Sequence, residues 1–278
     1  MRVDLHIHTT ASDSRWTVDQ VVEGVKAAGI GLFAVADHDT VASVDRAESL
    51  ARLAGLAFLP CVEFSATLDG RLIHILSYGI DRTDHALGEL LAANRAAMKA
   101  SNTMIIRRMI EYGFPIDWDD YVAYRHVPTR GGFRELNFAI DRGICSSVDG
   151  FYSDVLPLLN LRAPELVTVT DAIAVVRAAG GVPVLAHPGA SLRDVGVSES
   201  TLAPLLEAGV GGLECHSQYH DRATTDFCVA YCRDRGLLIT GGSDYHGGFV
   251  NRQLGVPIVS LDELYLGELM QLVSCHGA

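Results

Sequence analysis

At 278 residues the chain has room for one large α/β domain, or for one such domain carrying an insertion. Its 49% apolar content is enough for a sizeable core. The net charge of −12 excludes a dedicated binder of long nucleic acid, which needs a basic track, but not a small phosphorylated substrate whose site holds divalent cations.

Val3, Leu5 and Ile7 alternate with Asp4, His6 and His8, a period of two that predicts a strand with both imidazoles on one face. Neutral imidazole is a good ligand for Zn, Mn or Fe, so the pair is half a metal site, although two polar residues on a wet strand face give the same pattern. A polar loop through Asp13 follows. Thr17 and Gln20 form a capping box for a helix whose apolar face is Val18, Val21, Val22 and Val25, ending at Gly29. Leu32–Ala36 is a buried strand that stops at Asp37-His38-Asp39, and a helix over about 41–54 comes next. Ala57–Val62 is a strand ending at Glu63, and Arg71–Tyr78 another with His74 in its middle.

This alternation predicts parallel β/α units, in which the strand ends carry the chemistry. The rhythm breaks at a long helix over about 84–112 and at short helices and loops over about 117–165. It resumes with a helix at about 170–179 and a strand, Val182–Ala186, ending at His187. A helix over about 199–208 precedes the strand Gly212–His216, and one over about 221–235 precedes Leu237–Thr240, which ends at Asp244-Tyr245-His246. An amphipathic helix is expected at about 261–273. No apolar run is long enough for a membrane span, since Arg177 and Gly180-Gly181 interrupt the longest. Met1 leads into the first strand without a leader pattern, so the expected location is cytoplasmic. The scattered cysteines (Cys61, Cys145, Cys215, Cys228, Cys232, Cys275) are then expected to be reduced core thiols.

Collected, the residues at or near strand ends are His6, His8, Asp13, His38, Glu63, His74, His187, Asp244 and His246. Six imidazoles and three carboxylates are the donor set that two or three divalent ions with open positions require.

On the motifs Asp4-Leu5-His6-Ile7-His8 with Asp13, Ala36-Asp37-His38-Asp39, Val62-Glu63-Phe64-Ser65, Ile73-His74-Ile75, Ala186-His187-Pro188-Gly189 and Gly242-Ser243-Asp244-Tyr245-His246, the chain resembles the PHP (polymerase and histidinol phosphatase) family from end to end. The resemblance implies a distorted (β/α)7 barrel, residues 1–81 and 166–278, with a helical insertion, 82–165, over the barrel mouth. It implies three divalent metal ions (Mn, Fe or Zn): a first site of His6, His8, Glu63 and Asp244, a second of Glu63, His74 and His187 with Glu63 bridging, and a third of Asp13, His38 and His246. Within the family the chain most resembles small phosphoesterases acting on nucleoside 3′,5′-bisphosphates and on 5′ ends of short RNA. Their Arg-containing insertion segment corresponds to Pro128–Arg134, where Arg130 matches and the following His and Ala do not.

The implied reaction is phosphoester hydrolysis by metal-activated hydroxide, with Glu63 bridging the metals. Arg130 and Arg134 are candidate clamps for the substrate phosphate, with a solvated loop face as the alternative. His220 is the candidate phosphate contact or proton donor, His216 lies nearby, and one of Asp37 and Asp39 is a candidate support for a ligand imidazole, Asp39 alternatively a helix cap. His85, His126 and His276 carry no motif. The expected partner is a small phosphorylated substrate, nucleotide or short RNA, with no membrane; the oligomeric state is open. A histidinol-phosphate-type phosphatase or other metal hydrolase, and a non-catalytic metal-binding module, are the competing readings.

Overall fold

Alternating valine, leucine and isoleucine do form the first strand. The computed structural model describes residues 1–274, which leaves Cys275 and His276 outside the described residues. The strands in chain order are β1 (Arg2–Ile7), β2 (Ile30–Val35), β3 (Ala57–Phe58), β4 (Cys61–Leu68), β5 (Arg71–Tyr78), β6 (Val182–Leu185), β7 (Gly212–His216), β8 (Leu238–Gly241) and β9 (Val259–Ser260). The α-helices are α1 (Val18–Ala27), α2 (Val44–Ala54), α3 (His85–Glu111), α4 (Trp118–Ala123), α5 (Arg134–Asp141), α6 (Val148–Gly150), α7 (Val169–Ala178), α8 (Pro188–Ser191), α9 (Glu199–Glu207) and α10 (Arg222–Arg235). α1 starts on the capping box of Thr17 and Gln20 and buries the four valines of its apolar face.

The strands pair in two sheets, in the orders β3-β2-β1-β9 and β4-β5-β6-β7-β8. β1, β2 and β3 are parallel, as are β6, β7 and β8. Single bridges, His38 to Glu63 and Ile7 to Tyr245, join the two sheets at the level of the histidines. The ladders among the described residues do not close into a barrel, so the architecture is a mixed α/β fold of two sheets flanked by helices.

Three expectations are corrected. The expected run of parallel units fails at β5, which is antiparallel to both β4 and β6. The cause is local: Asp69 and Gly70 both take positive φ and turn the chain back directly into β5. The strand expected over Ala57–Val62 is broken at Pro60, which has no N–H to donate, and Glu63 lies inside the eight-residue β4 rather than at a strand end. In place of a C-terminal amphipathic helix, the chain makes 3₁₀ turns at Leu261–Glu263 and Gly267–Gln271. Between them Tyr265 pairs its backbone with Ile239, and Gly267 takes a positive φ; both are incompatible with a continuous helix.

Apolar packing follows the layers. One cluster lies under the β4–β8 sheet and includes Phe64, Ile75, Val176 and Leu213. Another seats α1 and α2 on the β1–β3 sheet through Val21, Val25, Phe33 and Phe58. A separate cluster, with Ile106, Met109, Leu136, Phe138 and Phe151, belongs to the stretch between α3 and α7. That stretch therefore carries its own core. Cys61, Cys215, Cys228 and Cys232 are buried free thiols, as composition suggested, and Cys145 is half-buried.

Candidate metal centre

The strands bring all nine residues of the sequence-derived donor set to one place. Glu63 is at its centre and fully buried. Its Oε2 lies 3.1 Å from His6 Nε2, 3.2 Å from His8 Nε2 and 3.2 Å from His38 Nδ1. Its Oε1 lies 3.1 Å from both His74 Nδ1 and His187 Nε2. Asp244 Oδ1 is 3.0 Å from His8 Nε2 and 3.4 Å from His6 Nε2, and Asp13 Oδ2 is 3.3 Å from His246 Nε2. Three groups converge to within metal-ligand reach: His6, His8, Glu63 and Asp244; His38, Glu63 and His74; and His8, Asp13, His38 and His246.

The chemistry of this donor set fits divalent cations. Buried polar atoms are normally hydrogen-bonded. Yet Glu63 Oε2 and Asp244 Oδ1 have no hydrogen-bond partner of acceptable geometry, although imidazole nitrogens surround both. His6 Nε2 and His8 Nε2 face each other at 3.1 Å. Lone pairs aimed at shared points, instead of donors aimed at acceptors, are what cation ligation requires.

Local backbone features hold the donors there. Asp39, His187 and Asp244 all adopt positive φ, which costs a non-glycine residue on the order of 1–3 kcal/mol and clusters at functional sites. Gly242 lets β8 approach β1: a Cβ there would lie 2.6 Å from the backbone nitrogen of His6. Glu214, to which the sequence gave no role, is buried; its Oε1 lies 3.0 Å from His6 Nδ1, and its Oε2 accepts from the His187 N–H at 2.7 Å. One carboxylate thus orients two site histidines, the usual outer support of a metal-binding imidazole. The available signal was an acidic residue inside an otherwise apolar strand. Asp37 accepts from the Thr9 N–H and from the hydroxyls of Thr9, Ser12 and Ser43. It fixes the loop after His8 and does not support His38. Asp39 accepts from the Ser65 N–H at 3.0 Å and from Asn94 Nδ2 at 3.0 Å, and it does not cap α2.

The electrostatics are those of paired opposites. Burial opposes ionisation of Glu63, but the surrounding imidazoles, His6 foremost, outweigh it and hold the carboxyl well below its usual range. Burial likewise opposes Asp13 and is outweighed chiefly by His246. His246 in turn is pushed up to about 10, because Asp13 and Asp244 overcome its desolvation. His38 goes the other way: burial drives it down to about 3 against the pull of Glu63 and Asp13, leaving a neutral ring.

Above the cluster lies a cleft of about 510 Å³, lined on the far side by Val148, Tyr152 and Phe249. The structure does not bring Arg130, Arg134 or His220 to it. Arg130 forms a two-pronged pair with Asp141, NH1 to Oδ2 at 2.5 Å and NH2 to Oδ1 at 2.7 Å. Arg134 donates to the carbonyls of Tyr121, Val122 and Tyr124 and stacks on the Tyr121 ring. Both are committed inside the inserted stretch because that stretch supplies better-placed acceptors. Around Arg130 the stretch meets the centre through backbone: Gly132 N–H donates to Asp13 O at 2.6 Å, and Arg15 Nε to Arg130 O at 3.0 Å. His220 spends both ring nitrogens on backbone, Nδ1 on Cys215 O and Nε2 on the Gly189 N–H, each at 2.9 Å. Burial lowers its pKa, so it is a neutral brace between two loops. His216 is half-buried, with Nε2 unpartnered among the described residues, and does not line the cleft.

No family model matches the chain. Among known proteins it is 31% identical over 252 residues to phosphoribosyl 1,2-cyclic phosphate 1,2-diphosphodiesterase of Eggerthella lenta, covering 88% of this chain and 94% of that one. It is 29% identical to the 5′-3′ exoribonuclease Rnm of Escherichia coli, over 87% of this chain and 84% of the relative. A solved structure from Bifidobacterium adolescentis, assigned as a metal-dependent phosphoesterase, superposes with a TM-score of 0.83 at 27% identity, covering 97% of this chain and 96% of that one.

Proposed function

This chain belongs to the PHP family of metal-dependent phosphoesterases, and from that premise we propose that it hydrolyses a phosphate ester carried on a nucleotide or short oligonucleotide. The observation that carries the reading is Glu63: one buried carboxylate whose two oxygens each face a different set of imidazoles. In this reading the ligands are His6, His8, Glu63 and Asp244 for one ion, Glu63, His74 and His187 for a second, and Asp13, His38 and His246 for a third. Mn, Fe and Zn all suit this mixture. When bound, such ions draw charge from phosphoryl oxygens and lower the pKa of water toward neutrality.

The chain's own residues supply the remainder. Glu63 and Asp244 provide negative charge at fixed positions, and Glu214 keeps His6 in one orientation through its Nδ1. The two sheets act as the halves of a distorted barrel, with residues 82–165 as a cap whose Val148 and Tyr152 roof the cleft. The cap narrows access and favours a substrate larger than a simple monoester. A second reading, a small ribose phosphate as substrate, is favoured by the likeness to the Eggerthella enzyme.

The test uses Glu63→Gln. The variant should fold, bind fewer divalent ions per chain by elemental analysis, release no phosphate from adenosine 3′,5′-bisphosphate and free no nucleotide from a 5′-phosphorylated RNA. Full activity in the variant would remove Glu63 from the mechanism.

A further inference from the structure

The third donor group takes its residues from separate loops: Asp13 from the one after β1, His38 from the one after β2 and His246 from the one after β8. The inserted stretch stands behind each of them. Gly132 N–H donates to Asp13 O at 2.6 Å. Arg95, on α3, donates from NH1 to the carbonyl of Asp39, the residue after His38, at 2.5 Å. Phe249, three residues past His246, packs against the apolar cluster of the insertion.

The joint between the Asp13 loop, the His246 loop and the insertion is built around two side chains. Arg15 ties all three parts: its N–H donates to His246 O at 3.2 Å, its Nε to Arg130 O at 3.0 Å and its NH1 to Gly248 O at 3.1 Å. Its guanidinium lies 5.7 Å from the Phe249 ring centroid. That ring rests on Gly131 and Gly132, both at positive φ. A Cβ on Gly131 would stand 2.7 Å from Phe249 Cγ, and one on Gly132 would meet Phe249 Cζ. Paired glycines leave the room that the ring needs. They fall where the sequence departs from the segment it otherwise resembles.

We propose that Arg15 and Phe249 couple docking of the cap to occupancy of the Asp13–His38–His246 group by its cation. The coupling rests on the metal-centre reading above, whatever ester is hydrolysed. The platform that receives Gly131 and Gly132 belongs to two loops, one carrying Asp13 and the other carrying His246 and Phe249. A cation held between Asp13 and His246 fixes the spacing of those loops and completes the platform. The linkage is reciprocal: a docked cap holds both loops in register and raises affinity for that ion by the same factor. The other donor groups are braced differently. Glu63 lies within β4, and Glu214 holds His6 and His187. Arg15 and Phe249 are therefore positioning residues, and the roof of the cleft forms over a fully loaded centre.

The experiment follows amide hydrogen exchange across residues 128–140 of the full chain, together with the number and affinity of bound manganese ions. Wild type should bind three ions, and the third should slow exchange across 128–140 by about tenfold or more. Arg15→Ala, a change at an exposed side chain, and Phe249→Ala should each weaken the third ion about tenfold, leave the first two as in wild type, and abolish the metal-dependent slowing. A joint that is structural only would speed exchange by one factor with and without manganese and leave the third ion unchanged; that result would overturn the proposal. So would wild-type exchange across 128–140 that ignores manganese while three ions bind, which sinks the coupling alone. A chain that binds no manganese sinks the metal-centre reading, and this inference with it.

Discussion

Asn94 is the residue on which the inserted stretch leans most heavily, and its replacement by leucine is the sharpest test of how that stretch is joined to the centre. It lies on α3 and is 2% exposed. Its Nδ2 donates to Asp39 Oδ1 at 3.0 Å and to Ser65 O at 2.5 Å, and its Oδ1 accepts from the Val167 N–H at 3.4 Å. One amide therefore ties the residue after His38, the strand of Glu63 and the point where the chain leaves the insertion. Leucine preserves volume and removes all three bonds. The bond to the Asp39 carboxylate is charge-assisted, worth about 1.5–3 kcal/mol, and the bond to Ser65 O is worth about 0.5–1.5 kcal/mol. Asp39 keeps its Ser65 N–H partner, so the expected loss is about 2–4 kcal/mol in total. In urea that loss lowers the unfolding midpoint by about 1 M at an unchanged slope. Manganese titration of the folded variant should also show weaker binding, because the positive-φ turn at Asp39 that presents His38 has lost its brace. A stability loss below about 0.5 kcal/mol would refute the reasoning, since surface substitutions already span that range.

Other outcomes follow from the same structure. Glu214→Gln should weaken metal binding by about 10–100-fold without unfolding the chain, measured by titration calorimetry, because the amide supports His6 without the carboxylate's charge. Gly242→Ala should destabilise by about 1–3 kcal/mol in urea unfolding, because its Cβ meets the backbone of His6. Arg130→Ala should leave the KM for substrate within twofold and instead change acid stability. Its bonds to Asp141 are the main reason that carboxyl sits at about 2. A carboxyl with a depressed folded-state pKa contributes stability above its unfolded value of about 3.9, and that contribution is lost as pH falls through about 2. The variant should therefore lose part of the pH dependence between those values, by less than about 1 kcal/mol because the pair is half-exposed.

The donor set was legible in the sequence because each donor ends or punctuates a short apolar run, and such runs are read from periodicity alone. His8, His38, His187 and Asp244 follow β1, β2, β6 and β8 as the pattern required. Glu63 and His74 were read as ending and punctuating apolar runs although their strands run antiparallel, a relation fixed by a two-residue turn that hydrophobic period does not report. What failed was long-range. Arg130 matched a segment by type and Arg134 was a second candidate clamp, but their acceptors, Asp141 and the carbonyls of Tyr121 and Tyr124, lie up to thirteen residues away and are revealed only by folding. Glu214 and Asn94 were missed for the same reason: each draws its meaning from partners on another element. His220 looked like chemistry and is a brace, because a polar ring near a cleft is ambiguous until both nitrogens are accounted for.

The nine-residue cluster is proposed as a metal centre that performs phosphoester hydrolysis. Its most direct test is phosphate release from adenosine 3′,5′-bisphosphate by protein of measured manganese content, before and after chelation. Release that rises with bound manganese, disappears on chelation and returns on reloading is the expected result. Protein that demonstrably holds manganese, releases phosphate from neither this substrate nor adenosine monophosphate, and frees no nucleotide from a 5′-phosphorylated RNA would contradict the account.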